Sequence, residues 1–155
     1  MKYSIIYLVI MLFSSCNSND SEQFIVDTSI TISVKDSDGI DLLNSKNSNS
    51  LDPNKFKIIY VIDGVSVEFY DENASYPKGF FIYEHENEYR IKIFPNVKNK
   101  DNLPITYIKW NEVDSDTLKC EIEKNINSEI CKKVWLNDKI VWQSYKNERY
   151  FEIIK

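Results

Sequence analysis

The chain has 155 residues, 24 acidic against 19 basic, for a net charge of -5. That balance argues against nucleic-acid binding, which usually needs a basic face, and against peripheral binding to anionic lipid through the protein surface. Aromatics make up 14% of the chain and there are 3 glycines, a composition that suits strands and argues against a flexible low-complexity protein.

The chain opens on a leader. Lys2 supplies a positive charge, residues 5–13 form an apolar run broken only by Tyr7, and Ser14 and Ser15 are small residues directly before Cys16. A charged start, a short apolar core and small residues before a cut describe a secretory signal. The run is too short to span a bilayer comfortably as a helix. The cysteine behind two serines resembles the lipobox, in which signal peptidase cuts before a cysteine that then carries the lipid. The lipobox prefers Leu three positions before the cysteine, whereas Phe13 stands there with Leu12 beside it. The resemblance implies that residues 1–15 are a lipoprotein signal peptide, that Cys16 is the lipid acceptor, and that the mature chain is extracytoplasmic, held to a membrane by covalent lipid. Removing the leader leaves 140 residues with a net charge of -6, because Lys2 is the only charge lost. That length suits one domain with one core. Residues 17–23 are all polar or acidic, so residues 16–27 read as the lipidated cysteine and a solvated tether, and residues 28–155 as the domain. In Bacteroidetes-type lipoproteins a short acidic segment after the cysteine can direct the protein to the cell surface. Asp20 and Glu22 resemble that segment loosely, so the expected location is the outer membrane or cell surface.

From Thr28 the pattern has period two: Ile30, Ile32 and Val34 alternate with Thr31, Ser33 and Lys35, as in a half-buried strand. Asp36-Ser37-Asp38-Gly39 is a turn, and the Ser/Asn-rich residues 44–54 are a loop. Residues 56–62 form a dense apolar run, read as a buried central strand. Asp63-Gly64 separates it from residues 65–70, the strongest hairpin signal in the chain, because a type I′ turn needs positive φ at both positions. Residues 71–78 are a second loop. Residues 79–84 and 89–94 form a hairpin through His85-Glu86-Asn87-Glu88, and Pro95, which cannot donate to a ladder, ends it. Residues 96–104 are a third loop, and residues 105–110 the next strand. Leu118, Cys120 and Ile122 alternate with charged residues in the strand after that. Residues 130–136 and 139–145 flank a tight turn at Asn137-Asp138, and residues 150–154 close the chain. Nine or ten short strands with regular turns and no helical period predict an all-β single domain, an antiparallel β-sandwich.

Cys120 and Cys131 are the cysteines of the mature body. Their spacing could bridge facing strands across a turn at Lys124-Asn125-Ile126-Asn127, and an extracytoplasmic compartment permits a disulfide. Two half-buried thiols packing as small hydrophobes is the alternative. Several segments together resemble a group of small, uncharacterised Bacteroidetes lipoproteins with an immunoglobulin-like β-sandwich domain. They are the leader ending at Cys16, Asp38-Gly39-Ile40-Asp41-Leu42-Leu43, Tyr107-Ile108-Lys109-Trp110-Asn111, Asp114-Ser115-Asp116-Thr117-Leu118 and Val134-Trp135-Leu136-Asn137-Asp138. The resemblance implies an immunoglobulin-like fold and an envelope location, brings no activity with it, and carries over no site residue beyond Cys16.

The chemistry-bearing patterns are sparse. His85 is the sole histidine, so a typical zinc site of two or three His is excluded, and nothing near it resembles a nucleophile elbow. Asp36, Asp38 and Asp41 share a turn that could hold calcium. The register departs from an EF-hand, however, and Asx hydrogen bonds explain the same residues. The cluster Glu112, Asp114, Asp116 lacks an accompanying glycine turn. Carboxylate pairs at glycosidase spacing are unspecific among 24 acids, and glycine scarcity argues against a nucleotide site. No catalytic residue, metal or cofactor is expected. Trp110, Trp135 and Trp142, with Tyr107 and Tyr145, concentrate aromatics in the C-terminal half, where exposed rings could stack on sugars; cross-strand packing is the other use of such rings. The expected function is therefore a lipid-anchored accessory without catalytic activity, binding an envelope protein or serving structurally, or else a carbohydrate-binding surface lipoprotein that uses exposed aromatics.

Overall fold

A computed structural model describes residues 23–98, 103–144 and 147–155. The segment expected to be a signal peptide, Cys16 and residues 17–22 lie outside the described residues, as does Tyr145. The described residues form eleven strands: β1 (Ile25–Asp27), β2 (Ile30–Lys35), β3 (Lys57–Ile62), β4 (Val65–Glu68), β5 (Phe80–His85), β6 (Glu88–Ile93), β7 (Ile105–Lys109), β8 (Ser115–Asn125), β9 (Ser128–Leu136), β10 (Lys139–Gln143) and β11 (Tyr150–Ile154), with one 3-10 turn at Pro53–Lys55. A seven-stranded sheet has the order β1-β9-β8-β7-β3-β4, with β10 also against β9, and a four-stranded sheet has the order β11-β2-β6-β5. One core joins them. Ile30, Ile32, Val34, Ile91, Ile93, Phe151 and Ile153 of the smaller sheet meet Ile58, Tyr60, Ile108, Leu118, Ile122 and Val134 of the larger. Two sheets burying one face each against the other is the arrangement of a β-sandwich.

The expectation of an antiparallel sandwich needs correction, because both sheets are mixed. β1 runs parallel to β9 and β11 runs parallel to β2. Hairpins enforce antiparallel pairing, but a strand reached by crossing from the other sheet is free of that constraint. Both parallel pairs involve such strands: β1 leads into β2 of the opposite sheet, and β11 follows β10 across the gap. β1 also lies inside the segment expected to be tether. Its residues are exposed and its register, Ile25 opposite Ser128, is held by main-chain pairing, so no periodic signal announced it.

The turn chemistry agrees with the sequence. Asp63 and Gly64 have φ of 50 and 80°, and Asn137 and Asp138 have φ of 48 and 64°, the positive pairs that a type I′ hairpin needs. The β5–β6 turn is tighter than expected: strand pairing continues to His85 opposite Glu88, so His85 ends a strand. β3 is not buried on both faces. Phe56, Ile58 and Tyr60 point inward while Lys57 is exposed. β2 departs in the other direction, since Thr31 and Ser33 are buried as well. β2 is a central strand, and its outer face is covered by side chains of β6 and β11. Ser33 Oγ and Tyr150 Oη share a hydrogen bond of 2.8 Å, and the Arg90 guanidinium sits 4.0 Å above the Tyr150 ring. Lys35 pairs with Glu152 at 2.6 Å and Glu88 at 3.2 Å. The hydrogen bond to Glu152 is the leading reason that Lys35 is pushed up to about 12.

Two bulges decide which side chains enter the core. On β9, Cys131 faces Ile122 and Lys133 faces Glu121, so Lys132 is the extra residue. Without it, strict alternation would send Cys131 outward with Lys133 and Trp135. With it, Cys131 and Val134 are both fully buried. On β10 the register shifts between Ile140 and Trp142, leaving Ile140 exposed and Trp142 buried.

Candidate functional site

β5 is an edge strand that pairs only with β6. Phe80 and Ile82 pack against the core. By alternation Phe81, Tyr83 and His85 therefore stand on the outer face of the smaller sheet, where the burial pattern leaves them half-exposed. They form a row of rings. Phe81 lies 5.6 Å from Tyr83, and Tyr83 lies 6.4 Å from His85. Tyr76, from the loop before β5, extends the row by stacking on Phe81 at 4.1 Å and 19°, and Phe94 stacks on Tyr76 at 5.6 Å. Tyr76 is 40% exposed.

The loop is built to deliver that ring. Asp71 N donates to Pro77 O at 3.0 Å, Ala74 N to Asp71 O at 3.1 Å, and Gly79 N to Tyr76 O at 2.9 Å. Gly79 then turns the chain into β5 at φ 76°, while its carbonyl accepts from Phe94 N at 2.9 Å. Under the loop is a cavity of about 300 Å³ lined by Phe69, Ala74, Ser75, Tyr76, Gly79 and Phe94. Beside the row, β6 places Lys92, Arg90 and Glu88 opposite Phe81, Tyr83 and His85, with Lys92 Nζ 6.0 Å from the Phe81 ring centre. Flat ring faces next to charged donors and acceptors can hold a ligand with an apolar face and hydroxyl edges. No pattern here provides a nucleophile with an adjacent base.

The aromatics singled out from the sequence do not assemble into this row. Trp110 and Trp142 are in the core, 1% and 7% exposed, and are closed to any ligand. Trp110 Nε1 donates to Asp116 Oδ2 at 2.7 Å, and Trp142 Nε1 donates to Asn147 O at 3.1 Å. Trp135 is half-buried on the outer face of the larger sheet, cross-strand from Lys119 and Ile140, with Lys133 Nζ 5.3 Å from its ring. Tyr107 is on the same sheet opposite Ile59 and Thr117. The sequence signal for the row on β5 is the period-two aromatic pair Phe81 and Tyr83, which is weaker than the three tryptophans of the C-terminal half.

The acidic clusters have protein partners. Asp36 Oδ1 accepts from the backbone of Asp38 and Ile40 at 3.0 and 2.8 Å, and Asn49 Nδ2 donates to Asp36 Oδ2 at 2.6 Å. Asp41 accepts from Leu43 N at 2.8 Å and from Tyr89 N at 2.7 Å, which ties this turn to β6. Lys155 Nζ donates to Asp114 at 2.8 Å and to Asp116 at 2.6 Å. Burial alone would raise the Asp116 carboxyl, but hydrogen bonds from Lys155, Asn137 and Trp110 outweigh it and hold the group below its usual range. Among the described residues no group of three or more His, Cys, Asp or Glu is placed to hold a metal ion. Cys120 and Cys131 are buried free thiols. No protein-family model, curated protein or solved structure matches this chain.

Proposed function

We propose that this chain is a lipid-anchored extracytoplasmic protein whose immunoglobulin-like β-sandwich has a binding or structural accessory role at the cell envelope, without catalytic activity. The anchor rests on Lys2, the apolar run of residues 5–13 and Cys16 behind two serines. The immunoglobulin-like reading draws support from the two face-to-face sheets and from Trp110 packed between them. The binding role is carried by one observation, the ring row Tyr76, Phe81, Tyr83 and His85 beside an open cavity. Cys16→Ser removes the sulfur that forms the thioether, so the variant is expected to accumulate as uncleaved or unanchored chain. Membrane fractionation with lipid labelling measures this, and normal anchoring of the variant would refute the assignment.

The ring row also favours a second reading, capture of a glycan at the cell surface. Sugars present an apolar ring face and hydroxyl edges, which match the rings of β5 and the charged residues of β6. A glycan-array screen followed by calorimetric titration of the full chain should give a saturable response to one glycan class. Tyr76→Ala and Phe81→Ala should each weaken that binding by about tenfold, equivalent to about 1.4 kcal/mol. Trp135→Ala, on the other sheet, should leave it unchanged. A flat response across glycans would reject this reading in favour of an envelope protein as partner. Loss of binding in Trp135→Ala alone would move the site to the larger sheet.

A further inference from the structure

We propose that Cys120 and Cys131 are a cross-linking site, a dithiol that the hairpin β8–β9 brings together for closure into an intrachain disulfide. The two strands are joined by the short turn Ile126–Asn127, with Asn125 opposite Ser128. Cys120 shares the inner face of β8 with Ile122, and Ile122 is the residue directly opposite Cys131. The extra residue Lys132 turns Cys131 to the same side, so both side chains enter the core at neighbouring positions and both are fully buried. There each thiol lies close enough to perturb the ionisation of the other. Cys131 Sγ also lies 3.6 Å from Lys133 O, and the Arg149 guanidinium donates to Cys131 O at 3.4 Å. That guanidinium is the nearby cation that favours a thiolate. The interaction between the thiols, supported by Arg149, lowers the Cys131 thiol, while the same interaction and burial push Cys120 up.

The co-reactant is a low-molecular-weight or protein disulfide. The thiolate of one cysteine of the pair attacks one of its sulfurs, forming a mixed disulfide and releasing one thiolate. The other cysteine, on losing its proton, attacks the sulfur of the first and expels the second thiolate. Two protein thiols and one disulfide thus give one protein disulfide and two free thiols, with electrons and protons balanced. Because both sulfurs are inaccessible in the folded chain, the exchange belongs to folding, before the hairpin docks. Once formed, the bond is shielded from reductants.

The test uses the purified full chain in detergent, reduced, unfolded and refolded in a glutathione redox buffer. This makes its outcome independent of where the chain resides in a cell. Alkylation in denaturant followed by mass measurement should find a chain lighter by two hydrogens and no reactive thiol among residues 120 and 131. Its Tm should lie about 5–10 °C above that of the reduced form. Cys120→Ser and Cys131→Ser, compared in a Cys16→Ser background, should each retain a single thiol or a glutathione adduct at the remaining position, with a Tm that no longer responds to redox conditions. Two alkylatable thiols in the refolded wild type, an adduct on each, or an oxidised form less stable than the reduced one would overturn the proposal.

Discussion

Replacing Trp110 by alanine should cost about 3–5 kcal/mol of stability, the range for deleting a large buried aromatic. Trp110 is the largest fully buried side chain of the core. Its ring meets Phe56 edge-on at 5.1 Å and 87°, and Lys155 Nζ lies 5.5 Å from its centre. Its Nε1 donates to Asp116 Oδ2, which also receives Lys155 Nζ, while Asn137 Nδ2 donates to Asp116 Oδ1 at 2.7 Å. One side chain therefore fills the space between the sheets and helps tie the β9–β10 turn and the C-terminal residue to β8. Trp110→Phe keeps most of the volume and removes one donor from a buried carboxylate that retains two others. It should cost about 1–2 kcal/mol. Urea midpoints at constant slope measure both losses. A Trp110→Ala midpoint within about 1 kcal/mol of wild type would contradict a packed core at this position.

Gly79→Ala is expected to destabilise by about 2–4 kcal/mol, from two separate causes. The residue has φ 76°, where an L side chain is strained by about 1 kcal/mol or more. A Cβ at this position would also sit 2.7 Å from Phe69 Cδ1, so the ring, which packs on Tyr60 at 4.8 Å, would have to shift; overpacking of this kind costs typically 1–3 kcal/mol. Gly39 and Gly64 separate the two causes. They also have positive φ, but open space surrounds their added Cβ, so Gly39→Ala and Gly64→Ala should lose only the conformational part. Equal losses at all three glycines would show that Phe69 is free to move. Gly79→Ala should also weaken ligand binding at the β5 ring row, because Gly79 sets the path of the loop carrying Tyr76.

Much of the strand inventory was legible before any coordinates, and the reasons are local. Alternation in residues 30–35 and 118–122 marks strands because a pleated chain exposes alternate residues to one core. Asp63-Gly64 and Asn137-Asp138 mark tight turns because few residues tolerate positive φ. The candidate site was harder to see. Residues 81, 83 and 85 alternate, but Phe80 and Ile82 alternate with them and are apolar too, so the pattern does not say which set faces the core.

Where chain pairing crosses from one sheet to the other, local pattern is silent. Nothing in residues 25–27 announces a strand, because β1 is held by main-chain bonds to β9, more than one hundred residues away, with its own side chains exposed. The bulges at Lys132 and between Ile140 and Trp142 reverse the faces that alternation assigns to Cys131 and Trp142. An extra residue changes the phase of a strand only where its partner holds the register. For the same reason Trp142 is a core residue, whereas Trp110 is buried by plain alternation with Thr106 and Ile108. By itself the sequence determined most of the strands and the tight turns, each a property of a few neighbouring residues. The tertiary structure alone decided parallel or antiparallel pairing, the inward or outward sense of each bulged segment, and the assembly of Tyr76 with β5 into one row, because these follow from which distant strand lies alongside.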